Sequence, residues 1–532
     1  MTTEAIDTLK TGYTFDGATL ELGVALNGET PVPDVPISIP LSMLNRHGLV
    51  AGATGTGKTV TLQVLAEQLS RAGVPVFASD IKGDLSGIGA PGVASEKLTK
   101  RLEAAGQQWD PKANPTEFYT LGDSGLGTPI RATVTSFGPI LLSKVLELND
   151  TQESVLSLVF HYADKAGLAL LDLSDLQAVL TYLTSAEGKA ELEGIGGASK
   201  ATVGVILRKI AELSAQGGDV FFGEPEFDTA DLLRVDASGA GIVSVLELQK
   251  LSQSPALFST FLMWLLADLF QDLPEVGDAD KPALVFFFDE AHLLFADASK
   301  AFLESVTQTV RLIRSKGVGV FFVTQTPKDV PEDVLAQLGS RIQHQLRAHT
   351  PNDAKALKAT VQTFPKSGYD LEELLTSLGI GEAIVTVMDP DGAPTPVAPT
   401  RMRAPESKIG PMSEDEVRAA VAASPQQKKY GTAIDNESAR EILTARLEAG
   451  AAEKDAEVKA GDSASSGSAE TGSGGAEKVP FPEDPAPTRS KQAPKEDNLF
   501  SQVVNSSAFK QFTRTAAREI ARGIFGTSRR RR

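Results

Sequence analysis

Eight consecutive residues, Gly52-Ala53-Thr54-Gly55-Thr56-Gly57-Lys58-Thr59, have the types and spacing of a phosphate-binding loop. The glycines permit the tight backbone path that turns successive N–H groups toward a polyphosphate at a helix N-terminus. Lys58 would neutralise the β- and γ-phosphates, and the Thr59 hydroxyl would coordinate Mg²⁺. Val60 follows and opens an apolar run to Leu69 suited to a helix. The expected nucleotide-binding set is therefore Gly52, Ala53, Thr54, Gly55, Thr56, Gly57, Lys58, Thr59 and Val60, with ATP as the ligand and Mg²⁺ as its companion ion.

Hydrolysis needs acidic groups at the end of a neighbouring strand. The run Ala283 to Phe288 is wholly apolar and ends in Asp289-Glu290. Asp289 would hold Mg²⁺, directly or through water, and Glu290 would be the general base that polarises the attacking water. A further apolar run, Val318 to Val323, leads into Thr324-Gln325-Thr326-Pro327. A polar amide at the end of such a strand lies where ligands bind in open α/β sheets, so Gln325 is a candidate for sensing the γ-phosphate or positioning water, with a loop-capping role as the alternative.

The elements that must position these residues can be read from apolar runs. Gly48 to Ala51, Val74 to Ile81, Ile242 to Leu246, Ala283 to Phe288, Val318 to Val323, Ile342 to Leu346 and Ala383 to Met388 alternate with helical stretches. Nearly continuous apolar strands of this kind belong to a mainly parallel sheet covered by helices on both faces. The predicted organisation is a short N-terminal β segment (1–40), the first part of the core (41–140), an inserted α-helical subdomain (141–235), the second part of the core (236–405), a helical extension (406–450), a disordered linker (451–498) and a basic amphipathic helix (499–532). The β segment reads as a lead-in rather than a full domain. Leu251 to Ala267 carries no charge but is short for a membrane span and diluted by polar residues, so a buried helix is expected.

The chain has 532 residues, no cysteine and five scattered histidines, which excludes thiolate-held metal and disulfides and fits a reducing cytoplasm. Its start lacks the basic and apolar regions of a signal peptide. Net charge is −18. The last 34 residues carry eight Lys/Arg against one Glu, a local +7, which leaves −25 for the rest. An acidic body argues against broad attraction to nucleic acid or anionic lipid. The basic helix has three candidate partners: the chain's own acidic body, an anionic membrane or nucleic acid.

The run Asn45-Arg46-His47 ahead of the loop, Asp80-Ile81-Lys82-Gly83-Asp84, Asp289-Glu290-Ala291-His292, and Arg311 to Gly319 followed by Gln325 together resemble the HerA/FtsK class of P-loop ATPases, and within it the DUF853 (YjgR) group of HerA-like proteins. The resemblance extends over Asp329 to Arg347 and the basic C-terminal helix. It implies a RecA-like (ASCE) core, a homo-hexamer and ATP sites at subunit interfaces. Carried over by position, Arg314 matches an arginine that one subunit offers to its neighbour's nucleotide, Arg46 matches another interface arginine, and Asp80 matches an acid near the active site. Arg341 and Arg347 are weaker candidates, read as structural. The string Asp289 to His292 also resembles that of DEAH-box helicases, yet only one phosphate loop is present. The N-terminal β-barrel of HerA itself needs more than the roughly forty residues available here. The expected function is Mg²⁺-dependent ATP hydrolysis by a cytoplasmic hexameric motor acting on DNA. The alternative is a nucleotide-regulated scaffold that does not translocate nucleic acid.

Overall fold

The computed structural model describes residues 3–450 apart from 123–124, 250–254, 278 and 296–299, so the linker and basic helix expected over 451–532 lie outside the described residues. Twelve strands are found among the described residues: β1 (Thr19–Asn27), β2 (Thr30–Pro40), β3 (Gly48–Ala51), β4 (Val76–Asp80), β5 (Thr116–Leu121), β6 (Thr128–Ile130), β7 (Val243–Glu247), β8 (Leu284–Phe288), β9 (Val318–Thr324), β10 (Ser340–His344), β11 (Glu382–Thr386) and β12 (Ala398–Met402). They form one sheet in the order β2-β1-β12-β11-β10-β3-β9-β8-β4-β7-β5-β6. From β10 to β6 every neighbouring pair is parallel. From β10 to β2 every pair is antiparallel.

The central strands are buried along their whole length because both faces are covered. Alternate residues serve opposite layers. Val285 and Phe287 of β8 join Leu62, Leu65 and Leu69 of the helix Lys58–Arg71 in one core. The intervening Phe286 packs on the other side, 5.3 Å from the Phe77 ring, which lies 6.3 Å from Phe261 of the helix Pro255–Asp272. That helix holds the described part of the uncharged run, with Phe261, Trp264 and Leu265 at most 2% exposed. No helix among the described residues is long and apolar enough to cross a membrane.

Three departures from the expected elements have physical causes. The first forty residues, expected as a short β segment leading into the core, extend the main sheet: β1 pairs with β12, with Gly23 opposite Met402. They also contain a helix, Thr3–Gly12, anchored by buried Leu9 and by Tyr13, whose hydroxyl lies 2.9 Å from the Pro396 carbonyl. Strand β10 spans Ser340–His344 rather than Ile342 to Leu346, because its polar residues Ser340, Gln343 and His344 are at most 2% exposed and blur its bounds in an apolar pattern. Strands β5, β6 and β12 carry no apolar signature in the sequence, since each mixes polar residues or proline into a short run.

The chain divides into two compact units. The larger contains residues up to 153, 171–173 and 208–436, and therefore the whole sheet. Within it, Phe227 packs 5.4 Å from the Tyr119 ring of β5, which draws the end of the expected 141–235 insertion into the core unit. The smaller contains, of the described residues, 154–170, 174–207 and 437–450. Its described part is helical around buried Leu156, Val159, Leu176, Leu180 and Ile206, and the Ala439 amide donates to the Ala169 carbonyl at 3.0 Å.

Candidate active site

The four strands β3, β9, β8 and β4 lie side by side, all parallel, so their following loops emerge along one edge of the sheet. Register aligns the ends: Ala51 is opposite Thr324, Phe322 opposite Phe288, and Phe288 opposite Ser79. Strand β9 runs between β3 and β8. Gln325 is thereby set between the phosphate loop and the Asp289-Glu290 pair, at the C-terminal strand ends where open α/β sheets bind ligands.

The phosphate loop is held by backbone bonds to three other segments. Gly52 N–H donates to Thr324 (3.2 Å), Ala53 N–H to Gln345 (2.8 Å), and Gly381 N–H to Thr56 (2.8 Å). Gly57, at φ +117°, caps the helix Lys58–Arg71 in a conformation that side chains disfavour. At Gly52 the limit is space, because a Cβ there would lie 2.5 Å from that of His344. Thr54 and Gly55 are exposed, whereas Thr59 and Val60 sit half-buried in the first helical turn, whose amides have no intrahelical acceptor. Lys58 is buried, and its Nζ donates to the Gly52 and Ala53 carbonyls at 2.8 and 3.3 Å. Burial pushes its pKa down, against the opposing charge of Glu290. A loop with free helix-start amides, a buried ammonium and an exposed rim fits a polyphosphate.

His344 buttresses this loop from below. Its Nδ1 lies 2.9 Å from the Glu382 carbonyl, which only a ring N–H can satisfy, so Nε2 accepts from the Thr61 hydroxyl at 2.9 Å. Burial pushes the imidazole down to about 4, so it is neutral near pH 7.

The acid pair is almost fully enclosed, with Asp289 2% and Glu290 3% exposed. Glu290 adopts φ +47°, a strained left-handed conformation for a non-glycine residue and one that clusters at functional sites. Asp289 Oδ1 accepts from the Glu290 amide at 2.8 Å, and burial pushes its carboxyl up to about 7. For Glu290, burial would raise the pKa, but the Lys82 ammonium bound to Oε1, the Gln325 amide and His292 outweigh it and hold the group below its ordinary value. Gln325 Nε2 donates to Glu290 Oε2 at 3.4 Å, and His292 Nδ1 stands 3.1 Å from the same oxygen. The Gln325 loop is itself pinned by Asp329, which accepts from the Thr324 hydroxyl (2.9 Å) and the Thr326 amide (2.8 Å). Among the described residues no group of three or more His, Cys, Asp or Glu is arranged to hold a metal ion. Thr59 and Asp289 alone suit an ion carried chiefly by phosphate and water, as Mg²⁺ is.

Asp80 stands at the end of β4 with both oxygens engaged, accepting from Gly83 N–H (2.6 Å) and Leu85 N–H (2.8 Å). It shapes the turn that carries Lys82. Burial pushes Asp80 up to about 6, and burial together with the Asp80 charge pushes Glu247, opposite it on β7, up to about 8.

The arginines expected at an interface, Arg46 and Arg314, lie at the other end of the same strands. Arg46 precedes β3 and Arg314 precedes β9, and with Arg311 and Arg341 they line one cavity of about 560 Å³. The seven residues of β9 separate Arg314 from Gln325, roughly 23 Å at ~3.3 Å per residue. Arg347 follows β10 instead and its guanidinium donates to the Thr54 carbonyl at 3.4 Å, beside the phosphate loop. Lys82, His344 and the placement of Arg347 were not drawn from the sequence as site features. The string Asp80 to Asp84 was a signal for Lys82, but its reach to Glu290 depends on β4 neighbouring β8.

A phosphate loop between a parallel strand and a helix, an acid pair two strands away and a polar residue on the strand between them define a P-loop ATPase core of the RecA-like class. Within that class the chain belongs to the family "Helicase HerA-like C-terminal", which matches residues 27–532. It is 23% identical over 358 residues to the DNA double-strand break repair helicase HerA of Sulfolobus acidocaldarius, covering 66% of this chain and 64% of that protein. The protein of the same description from Saccharolobus solfataricus is 24% identical over 387 residues, covering 71% and 67%. The chain thus spans about two thirds of the length of these relatives. The bacterial conjugative coupling protein TrwBdeltaN70, in its unbound form, shares the fold with a TM-score of 0.50 at 17% identity, covering 75% of this chain and 92% of that one.

Proposed function

We propose that this protein is a Mg²⁺-dependent motor ATPase that assembles as a homo-hexameric ring and acts on DNA, with each hydrolytic site completed by a neighbouring subunit. The observation that carries this reading is the separation of Arg46 and Arg314 from the phosphate loop by the full length of β3 and β9. An arginine there cannot reach its own chain's phosphates, but an arginine on the opposite edge of a ring subunit is well placed to face the next one's.

The chain's own groups divide the work. Lys58 and the first-turn amides of the helix hold the phosphates, and Gly55 and Gly57 let the backbone wrap them. Thr59 and Asp289 would hold Mg²⁺, which when bound would neutralise part of the negative charge of the phosphates. Glu290 accepts a proton from the attacking water, with Gln325 fixing the orientation of its carboxylate. Arg314 stabilises charge developing on the phosphoryl group in the neighbouring site, and Arg46 supports the same interface. DNA as the substrate is supported by the description of the relatives as double-strand break repair helicases.

Duplex or single-stranded DNA is expected to stimulate ATP hydrolysis, less so as salt rises. Absence of stimulation by any nucleic acid at low salt overturns the translocase reading and favours a nucleotide-regulated scaffold. Arg314→Ala is expected to keep ATP affinity while lowering turnover about 10³-fold. Mixing it with a Lys58→Ala chain should restore part of the activity, because such rings contain sites with both an intact loop and an intact arginine. Mixed rings with no recovered activity would show that Arg314 does not act across an interface.

A further inference from the structure

We propose that Lys82 is a second cation of the nucleotide site, exchanging between two anions: the Glu290 carboxylate and the terminal phosphate of bound ATP. This rests on the ATPase reading above and adds a residue to it.

The argument begins with register. Ser79 of β4 is opposite Phe288 of β8, so the turn after β4 and the acid pair after β8 leave the sheet together. The turn's backbone has little freedom. Asp80 accepts from both the Gly83 and the Leu85 amides, which ties the backbone following Lys82 to the end of β4. Any exchange by Lys82 must therefore be made by its side chain, a flexible four-carbon stem ending in a point charge.

Lys82 and Glu290 differ sharply in exposure. The Lys82 side chain is 40% exposed while that of Glu290 is 4% exposed, so the ammonium stands on the open side of an enclosed carboxylate. Glu290 does not depend on Lys82 alone, since its Oε2 has Gln325 and His292 beside it. Losing the ammonium leaves the carboxylate partnered and its Oε1 available. The destination lies on the same edge of the sheet: the loop carrying Lys58 follows β3 and the turn carrying Lys82 follows β4, on either side of the parallel pair β9 and β8, and Glu290 and Lys82 are both among the charges that act on Lys58. Two such cations match a polyphosphate better than one buried carboxylate, because a terminal phosphate carries more charge than a carboxylate and offers three acceptor oxygens.

The test compares nucleotides that differ by the terminal phosphate. Calorimetric titration of the full chain with Mg²⁺ and either ADP or a non-hydrolysable ATP analogue should give Lys82→Met an ADP affinity within about twofold of the parent. Its affinity for the analogue should fall roughly tenfold, the worth of one charge-assisted hydrogen bond. Lys82→Arg should recover most of that loss. Equal losses for both nucleotides, or none for either, overturn the proposal. Should Lys82→Met not fold, Lys82→Gln keeps a donor toward Glu290 without the charge and is read by the same outcomes. Failure of the parent chain to bind either nucleotide would instead overturn the ATP-site reading.

Discussion

Lys58→Ala is expected to lower ATP affinity by at least 100-fold and to end turnover at ordinary ATP concentrations. The Lys58 ammonium is buried and its two acceptors, the Gly52 and Ala53 carbonyls, belong to the loop itself. It can therefore turn to a phosphate without leaving the loop. Charge-assisted hydrogen bonds contribute about 1.5–3 kcal/mol each, so losing two removes about 3–6 kcal/mol, or about two to four decades of affinity. The loop should survive the change, because Gly52, Ala53 and Thr56 are tied by backbone bonds to Thr324, Gln345 and Gly381 and the helix is tied to His344 through Thr61. Titration with labelled ATP, alongside a thermal melt, separates lost binding from lost fold. A folded Lys58→Ala chain that binds within tenfold of the parent would remove Lys58 from the phosphate site.

Glu290→Gln should have the opposite profile, with ATP retained and hydrolysis reduced about 10²- to 10⁴-fold. Glutamine keeps the shape and an acceptor oxygen for Lys82, but its amide cannot take a proton from water. Single-turnover hydrolysis of bound ATP reads the effect directly. More than a tenth of the parent rate would assign the base elsewhere. The pair of variants also separates two roles that one sheet edge brings together, since Lys58 acts on the ligand and Glu290 on the water.

Much of this site was legible because its parts are local. The spacing from Gly52 to Thr59 encodes a loop whose path depends on its own glycines, and β8 is an uninterrupted apolar run that ends at Asp289 and Glu290. Gln325 could be named for the same reason. Lys82 could not be given a task, because two ordinary charged residues 208 positions apart announce nothing until their strands are neighbours. His344 was hidden by its polarity inside a buried strand, and Arg347 by the need to know that β10 runs parallel to β3. The N-terminal strands looked separate because their partner, β12, lies almost 380 residues further on, with Gly23 opposite Met402.

Residue order by itself determined the chemistry of a phosphate loop and an acid pair, and the alternation of apolar strands with helices that a covered parallel sheet requires. Those are properties of contiguous segments, set by side-chain type and backbone freedom over a few residues. Tertiary structure alone decided which strands are adjacent, and with that the insertion of β9 between β3 and β8, the clamp of Lys82 on Glu290, and the gathering of Arg46, Arg311, Arg314 and Arg341 at the edge away from the phosphate loop. Strand adjacency is a matter of hydrogen-bond register between segments far apart in the chain, and no local pattern of residues encodes it.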